Sequence, residues 1–124
     1  MSKILIIEDD PLIQRLYGRE FTLKGFEVHV AANGQLGVEL SKTLLPDCIL
    51  LDIMMPQKNG FEVLDELKTQ DRTKYIPIIV FTNLMSEHDA ETALKKGAAK
   101  FIVKDEHEPA EVVAMVHELL QPKN

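Results

Sequence analysis

Cysteine is nearly absent from this chain: Cys48 stands alone, so no internal disulfide can staple the fold. Set in the apolar run Cys48-Ile49-Leu50-Leu51, it reads as a small buried hydrophobe rather than a reactive thiol. Tryptophan is missing, and aromatic residues make up only 6% of the chain. No stretch approaches the ~20 consecutive apolar residues that cross a bilayer. The amino terminus passes from Met1-Ser2-Lys3 directly into an apolar run, without the pattern of a signal peptide. The expected location is therefore the cytoplasm, with no membrane contact. Basic charge is also in deficit: 14 Lys and Arg against 20 Asp and Glu leave a formal net charge of -6. That argues against sequence-independent nucleic-acid binding, which depends on cations meeting phosphates, and makes proteins the expected partners. No repeat, composition shift or flexible linker interrupts the 124 residues. A single domain over residues 1–124 is expected, with only Gln121-Pro122-Lys123-Asn124 after the last helix and no output domain. A chain of that length buries roughly two-thirds of the surface its unfolded form exposes, enough to fold without staples.

What the chain does have is a series of short apolar runs rich in Ile, Val and Leu. They do not alternate with polar residues, which marks strands covered on both faces. Ile4-Leu5-Ile6-Ile7 runs into Glu8-Asp9-Asp10, Cys48-Ile49-Leu50-Leu51 into Asp52, Ile78-Ile79-Val80-Phe81 into Thr82, and Phe101-Ile102-Val103 into Lys104. Phe26 to Ala31 is a weaker candidate whose Glu27 and His29 alternate with apolar residues, as on a sheet edge. Between the runs lie amphipathic segments with marked ends. Asp10 precedes Pro11 as an N-cap, and the helix from Pro11 to Lys24 places Ile13, Leu16, Tyr17 and Phe21 at helical spacing before Gly25. Asn33-Gly34 turns into a helix carrying Leu36, Val38, Leu40 and Leu44, stopped by Pro46. After Asp52, Ile53 to Gly60 form a loop set by Pro56 and Asn59-Gly60, followed by a helix with Phe61, Val63, Leu64 and Leu67. Ser86 caps a fourth helix ending near Gly97, and Pro109 opens a fifth with Val112, Val116, Leu119 and Leu120 on one side. Strand and helix alternating five times predict an α/β fold, a parallel sheet wrapped by helices on both faces.

In such a sheet the strand ends open into one crevice, where ligands bind. Here the endings bring together several carboxylates, a hydroxyl and an ammonium. An aspartate can accept a phosphoryl group, but crowded carboxylates repel one another and the incoming phosphate. Two unit charges about 4 Å apart interact by ~4 kcal/mol at an effective dielectric near 20, so a cation is required. Mg2+ takes oxygen ligands and is commonly held by one or two carboxylates plus phosphate oxygens. Asp9 and Asp52 would ligate it, Glu8 would assist through water, and the backbone carbonyl of Met54 could supply a further oxygen. Phosphoryl transfer is mainly a matter of positioning and cations. Lys104 gives a cation opposite the metal, the Thr82 hydroxyl donates to a phosphoryl oxygen, and Asp52 is the nucleophile. Asp10 reads as a helix cap with a minor electrostatic role. His29, His88, His107 and His117 show no metal-ligand spacing and read as surface residues.

Those residues carry a resemblance. Over essentially its whole length the chain resembles the response-regulator receiver domains of two-component signalling. The acidic pair matches Glu8 and Asp9, the phosphoacceptor Asp52, the hydroxyl Thr82 and the lysine Lys104. The segment Asp52-Ile53-Met54-Met55-Pro56 followed by Gly60 is especially characteristic. The resemblance implies a flavodoxin-like (βα)5 fold with strand order 2-1-3-4-5, an order for which a chemotaxis receiver is a standard example. It implies a signalling phosphoacceptor rather than an enzyme, catalysing only its own phosphorylation and dephosphorylation. It implies Mg2+ and a histidine kinase or histidine phosphotransfer protein as donor. It also implies an aromatic switch residue, matching Phe101, that moves with Thr82 and alters the face of the fourth helix, fifth strand and fifth helix. That face would bind a downstream protein or a second copy of the chain.

Two positions depart from the family pattern. Asp105 follows Lys104 where many receivers carry a proline, so a trans peptide is expected there. Asn83 follows Thr82 where a smaller residue is common, and its amide is expected to change the phosphorylation or dephosphorylation rate. Two other function classes compete with the receiver reading. One is an interaction module of the same fold that ignores phosphorylation. The other is a phosphatase of the haloacid dehalogenase type, which places a second aspartate two residues after the nucleophile, where this chain has Met54.

Overall fold

A computed structural model describes residues 1–83 and 86–121; Pro122, Lys123 and Asn124, read above as part of the tail, lie outside the described residues. The elements run β1 (Lys3–Ile7), α1 (Pro11–Leu23), β2 (Glu27–Ala31), α2 (Gly34–Leu44), β3 (Cys48–Leu51) and α3 (Gly60–Thr69). They continue with β4 (Ile78–Thr82), α4 (Glu87–Lys95), β5 (Lys100–Val103), a short 3-10 turn (Lys104–Glu106) and α5 (Pro109–Leu119). The five strands form one parallel sheet in the order β2-β1-β3-β4-β5. This is the flavodoxin-like order that the family resemblance implies, and the parallel sheet is the one that the alternation of strands and helices predicts.

Because successive strand residues point to opposite faces, each uninterrupted apolar run feeds two cores. Leu5, Ile7, Ile49, Leu51, Ile78 and Val80 pack against Val38 of α2, Val63, Leu64 and Leu67 of α3, and Ala93 of α4. Ile4, Ile6, Cys48, Leu50, Ile79, Phe81 and Ile102 pack against Tyr17 and Phe21 of α1 and Val112, Val113 and Val116 of α5. Polar residues would strand unpaired groups in either layer, which is why the runs carry none before their C-terminal ends.

The helix starts are held where the sequence marks them. Asp10, Asn33, Asn59 and Ser86 each cap a helix through a side-chain oxygen that accepts a backbone N–H, and Pro109 begins α5. Several details differ from expectation. β2 begins at Glu27 because Phe26 turns inward onto Phe21, with ring centroids 5.0 Å apart. Leu16, Leu36 and Leu119, expected on the buried stripes, are exposed. In α2 the face against the sheet is made by Gly34, Gly37, Val38 and Ser41 instead, with Gly37 so near Ile7 that a Cβ there would sit 2.6 Å from its Cδ1. His29 and His107 are half-buried rather than fully exposed. The Nδ1 of His107 lies 3.6 Å from a Glu111 carboxylate oxygen.

Candidate functional site

The crevice at the C-terminal edge of the sheet begins where β1 stops pairing as a strand. The Glu8 N–H still donates to the Ala31 carbonyl at 3.0 Å, and the Asp52 N–H to the Ile7 carbonyl at 3.0 Å, so the ladder itself fixes both backbones. The turn after β1 is wired from both sides. The Gln14 amide donates to the Glu8 carbonyl at 2.7 Å, the Asp10 N–H donates to Glu8 Oε2 at 3.2 Å, and Asp10 accepts from the Leu12 N–H at 2.9 Å. Asp10 is thus the cap of α1, and Glu8 is held inward.

Asp52 is positioned by its own loop. One of its carboxylate oxygens accepts the Met54 N–H at 3.1 Å, the local turn that aspartate favours after a strand. The other lies 3.5 Å from the Lys104 ammonium. The loop then returns close against this backbone: a Cβ on Gly60 would lie 2.5 Å from the Ile53 Cα and 2.6 Å from the Asp52 carbonyl oxygen. Only glycine lets α3 start there.

Glu8, Asp52 and Thr82 are buried, at 1%, 3% and 0% exposure. Glu8, Asp9 and Asp52 each offer a carboxylate oxygen within 4.8 Å of the other two, Asp9 being the most solvent-exposed. Lys104, its side chain 11% exposed, donates to Glu8 Oε1 at 2.5 Å. The ammonium meets two of the three carboxylates, Glu8 and Asp52, which leaves an excess of negative charge in a poorly hydrated place. Burial drives the Glu8 carboxyl up to about 7; the Lys104 hydrogen bond opposes this and the Asp52 charge adds to it. The donor set fits a small divalent cation with a preference for oxygen, and Glu8, Asp9 and Asp52 are the residues that would hold it.

The Thr82 hydroxyl is buried with no hydrogen-bond partner among the described residues. Such a group costs roughly 1–3 kcal/mol if left unsatisfied. Thr82 follows Phe81 at the end of β4, beside Val103 of β5. Phe101, paired in register with Val80, is half-buried against the core under α2, α3 and α4, the sheet face on which Val80 lies. Asn83 is exposed, as are Asp105 in the 3-10 turn and the Met54 side chain, whereas Met55 is buried. No cis peptide occurs among the described residues, so the Lys104–Asp105 bond is trans.

The structure therefore gathers Glu8, Asp9, Asp52 and Lys104 in one crevice, with Thr82 buried at an adjoining strand end. Three contributions were not read from the sequence. Glu8 serves as the hydrogen-bonded partner of Lys104, 96 residues away; Gln14 fixes the Glu8 backbone; and the Phe81 ring lies beneath the Lys104 ammonium, 4.6 Å from nitrogen to centroid. Gln14 carried a weak signal as a polar residue in the first turn of α1. Phe81 carried none, since it continues an apolar run.

Comparison with known proteins agrees with this geometry. The family model described as the response regulator receiver domain matches residues 4–117. The DNA-binding dual master transcriptional regulator RpaA of Synechocystis is 36% identical over 121 residues, covering 98% of this chain and 50% of that protein. The nitrate/nitrite response regulator NarL of Escherichia coli is 37% identical over 120 residues, covering 94% and 54%. The chain thus spans about half the length of these curated relatives. Among solved structures, the BeF3-activated N-terminal receiver domain of Klebsiella pneumoniae RstA superposes with a TM-score of 0.88 at 30% identity, covering 98% of this chain and 100% of that one. The Vibrio cholerae chemotaxis protein CheY4 gives 0.88 at 25% identity, with coverages of 95% and 98%. With the parallel sheet, the acidic crevice and the sequence match in agreement, this chain belongs to the receiver domain family of two-component response regulators.

Proposed function

We propose that Asp52 is the phosphoacceptor of this receiver domain and that phosphorylation changes its affinity for a partner protein. The observation that carries this reading is a buried carboxylate with an ammonium 3.5 Å away and two further carboxylates within 4.8 Å, beside a strand end holding a buried hydroxyl with no partner among the described residues. Asp52 attacks the phosphorus of a phosphohistidine on a histidine kinase or phosphotransfer protein; the new O–P bond forms as the P–N bond breaks, and the imidazole leaves. The moving group spreads its charge over the equatorial oxygens. Lys104 gives up part of its contact with Glu8 to meet one of them, and Thr82 donates its hydroxyl to another. Mg2+, held by Asp9 and Asp52 with Glu8 and the Met54 carbonyl in support, would neutralise the remaining charge when bound. Hydrolysis of the acyl phosphate resets the signal and serves no metabolic turnover.

The signal leaves through differential contacts, because phosphate offers Thr82 and Lys104 partners that the unmodified site lacks. Thr82 moves toward the phosphoryl group, Phe101 takes up the space it leaves, and the face made by α4, β5 and α5 changes its affinity for a downstream protein or a second copy. Asn83 and Asp105 tune how long the phosphorylated state lasts.

The test is intact-mass measurement after incubation with acetyl phosphate and Mg2+. One added phosphoryl group on the wild type and none on Asp52→Ala is the expected outcome. An unmodified wild type would leave a binding module that ignores phosphorylation as the better reading.

A further inference from the structure

We propose that Phe81 is a positioning residue for Lys104, its ring forming an aromatic seat that keeps the ammonium over the acidic crevice. The inference rests on the phosphoacceptor reading for its kinetic consequence and on geometry alone for the seat itself.

The seat follows from strand register. Phe81 pairs with Ile102 across β4 and β5, and both contribute to the core under α1 and α5. Side chains alternate along a strand, so a residue two beyond Ile102 returns to that face, diagonal to Phe81. That residue is Lys104. Its four-carbon stem leaves the end of β5, and its nitrogen comes to rest 4.6 Å from the Phe81 ring centroid. The face of an aromatic ring carries partial negative charge and attracts an ammonium within about 6 Å of its centroid.

The ring cannot easily turn away. Phe81 is fully buried, and Tyr17 of α1 packs its ring against it at a centroid separation of 5.0 Å and an interplanar angle of 73°. An edge-to-face contact of this kind fixes one ring by the other. The ammonium therefore sits among three attractors: Glu8 at 2.5 Å, Asp52 at 3.5 Å and the Phe81 ring beneath. When a phosphoryl group draws Lys104 from Glu8, the ring still faces the ammonium. An aliphatic residue would fill the same core volume without that attraction, leaving the flexible side chain to sample solvent.

Two measurements test this. In proton NMR the ε-methylene of Lys104 should be shifted upfield by the ring current in the wild type and return toward the ordinary lysine position in Phe81→Leu. No change overturns the seat, whether or not the protein is phosphorylated. Second, replacing Phe81 by phenylalanines with one, two and three ring fluorines drains charge from the ring face while keeping its shape. The rate of phosphorylation by acetyl phosphate should fall stepwise with fluorination, by about three- to thirtyfold in total. The trend should vanish in a Lys104→Met background, where residual rates would be equal. A rate indifferent to fluorination, or a trend that survives without Lys104, assigns Phe81 a purely structural role. A wild type that acetyl phosphate does not modify removes the phosphoacceptor reading, and the seat then stands or falls on the Lys104 resonance.

Discussion

Replacing Asp9 by Asn should stabilise the metal-free protein and abolish most of its response to Mg2+. The carboxylate oxygens of Glu8, Asp9 and Asp52 lie within 4.8 Å of one another, so each pair repels by ~3.5 kcal/mol at an effective dielectric near 20. Asp9 meets two such repulsions, and the Lys104 ammonium cancels roughly one of them. Solvent reaches Asp9 more freely than its partners and screens the remainder to about 1 kcal/mol. For a chain of 124 residues that is a rise of about 4 °C in Tm. Thermal unfolding should be followed at pH 8 in EDTA, where Glu8, pushed up to about 7, is ionised. At pH 5.5 Glu8 is largely protonated and the gain from Asp9→Asn should shrink. With Mg2+ at ~100 times its Kd the wild type gains ~2.7 kcal/mol, close to 10 °C, and the variant less than a third of that. A variant that melts no higher than wild type in EDTA, or that responds equally to Mg2+, would falsify the metal assignment.

Thr82→Val keeps the shape of the side chain and removes a buried hydroxyl that has no partner among the described residues; chemical denaturation should show about 1 kcal/mol of added stability, while phosphorylation by acetyl phosphate slows. Gly60→Ala drives a Cβ into the Asp52–Ile53 backbone and should cost roughly 1–3 kcal/mol by the same assay, together with a slower reaction at Asp52. Glu8 sets a pH dependence. A carboxyl whose folded pKa is raised to about 7 binds its proton more tightly when folded than unfolded. Its stabilising contribution is complete below its ordinary 4.5 and lost as pH rises through 7. In Mg2+-free buffer, the unfolding free energy from urea denaturation should therefore fall over that window by an amount on the order of 1–3 kcal/mol, and Glu8→Gln should flatten the profile.

The sheet and its crevice were legible in the sequence because both depend on short-range patterns. Strands covered on two faces need unbroken apolar runs, so the first polar residue after each run marks a strand end. Glu8, Asp52 and Lys104 each lie just past a strand, and Thr82 closes β4. Caps are equally local, as Asp10 and Ser86 show; Asn33 and Asn59, expected as turn residues, are caps as well. Leu16, Leu36 and Leu119 were misread because spacing alone does not say how far a helix is rolled on the sheet. Small residues such as Gly37 bring α2 close enough that Leu36 turns outward. Nor could spacing reveal that Glu8 would take Lys104 as its partner. That pairing depends on the register of β5 and on the 3-10 turn that sends the ammonium back over Phe81. Long-range pairings of this kind come from tertiary packing.

Borohydride reduction of the acyl phosphate, followed by peptide mass spectrometry, tests the central assignment most directly. After treatment with acetyl phosphate and Mg2+, the reduced residue is expected at position 52 alone, with the signal sharply diminished in Lys104→Met. A modified residue elsewhere in the chain, or a trapped adduct in Asp52→Ala equal to that of the wild type, would contradict Asp52 as the acceptor.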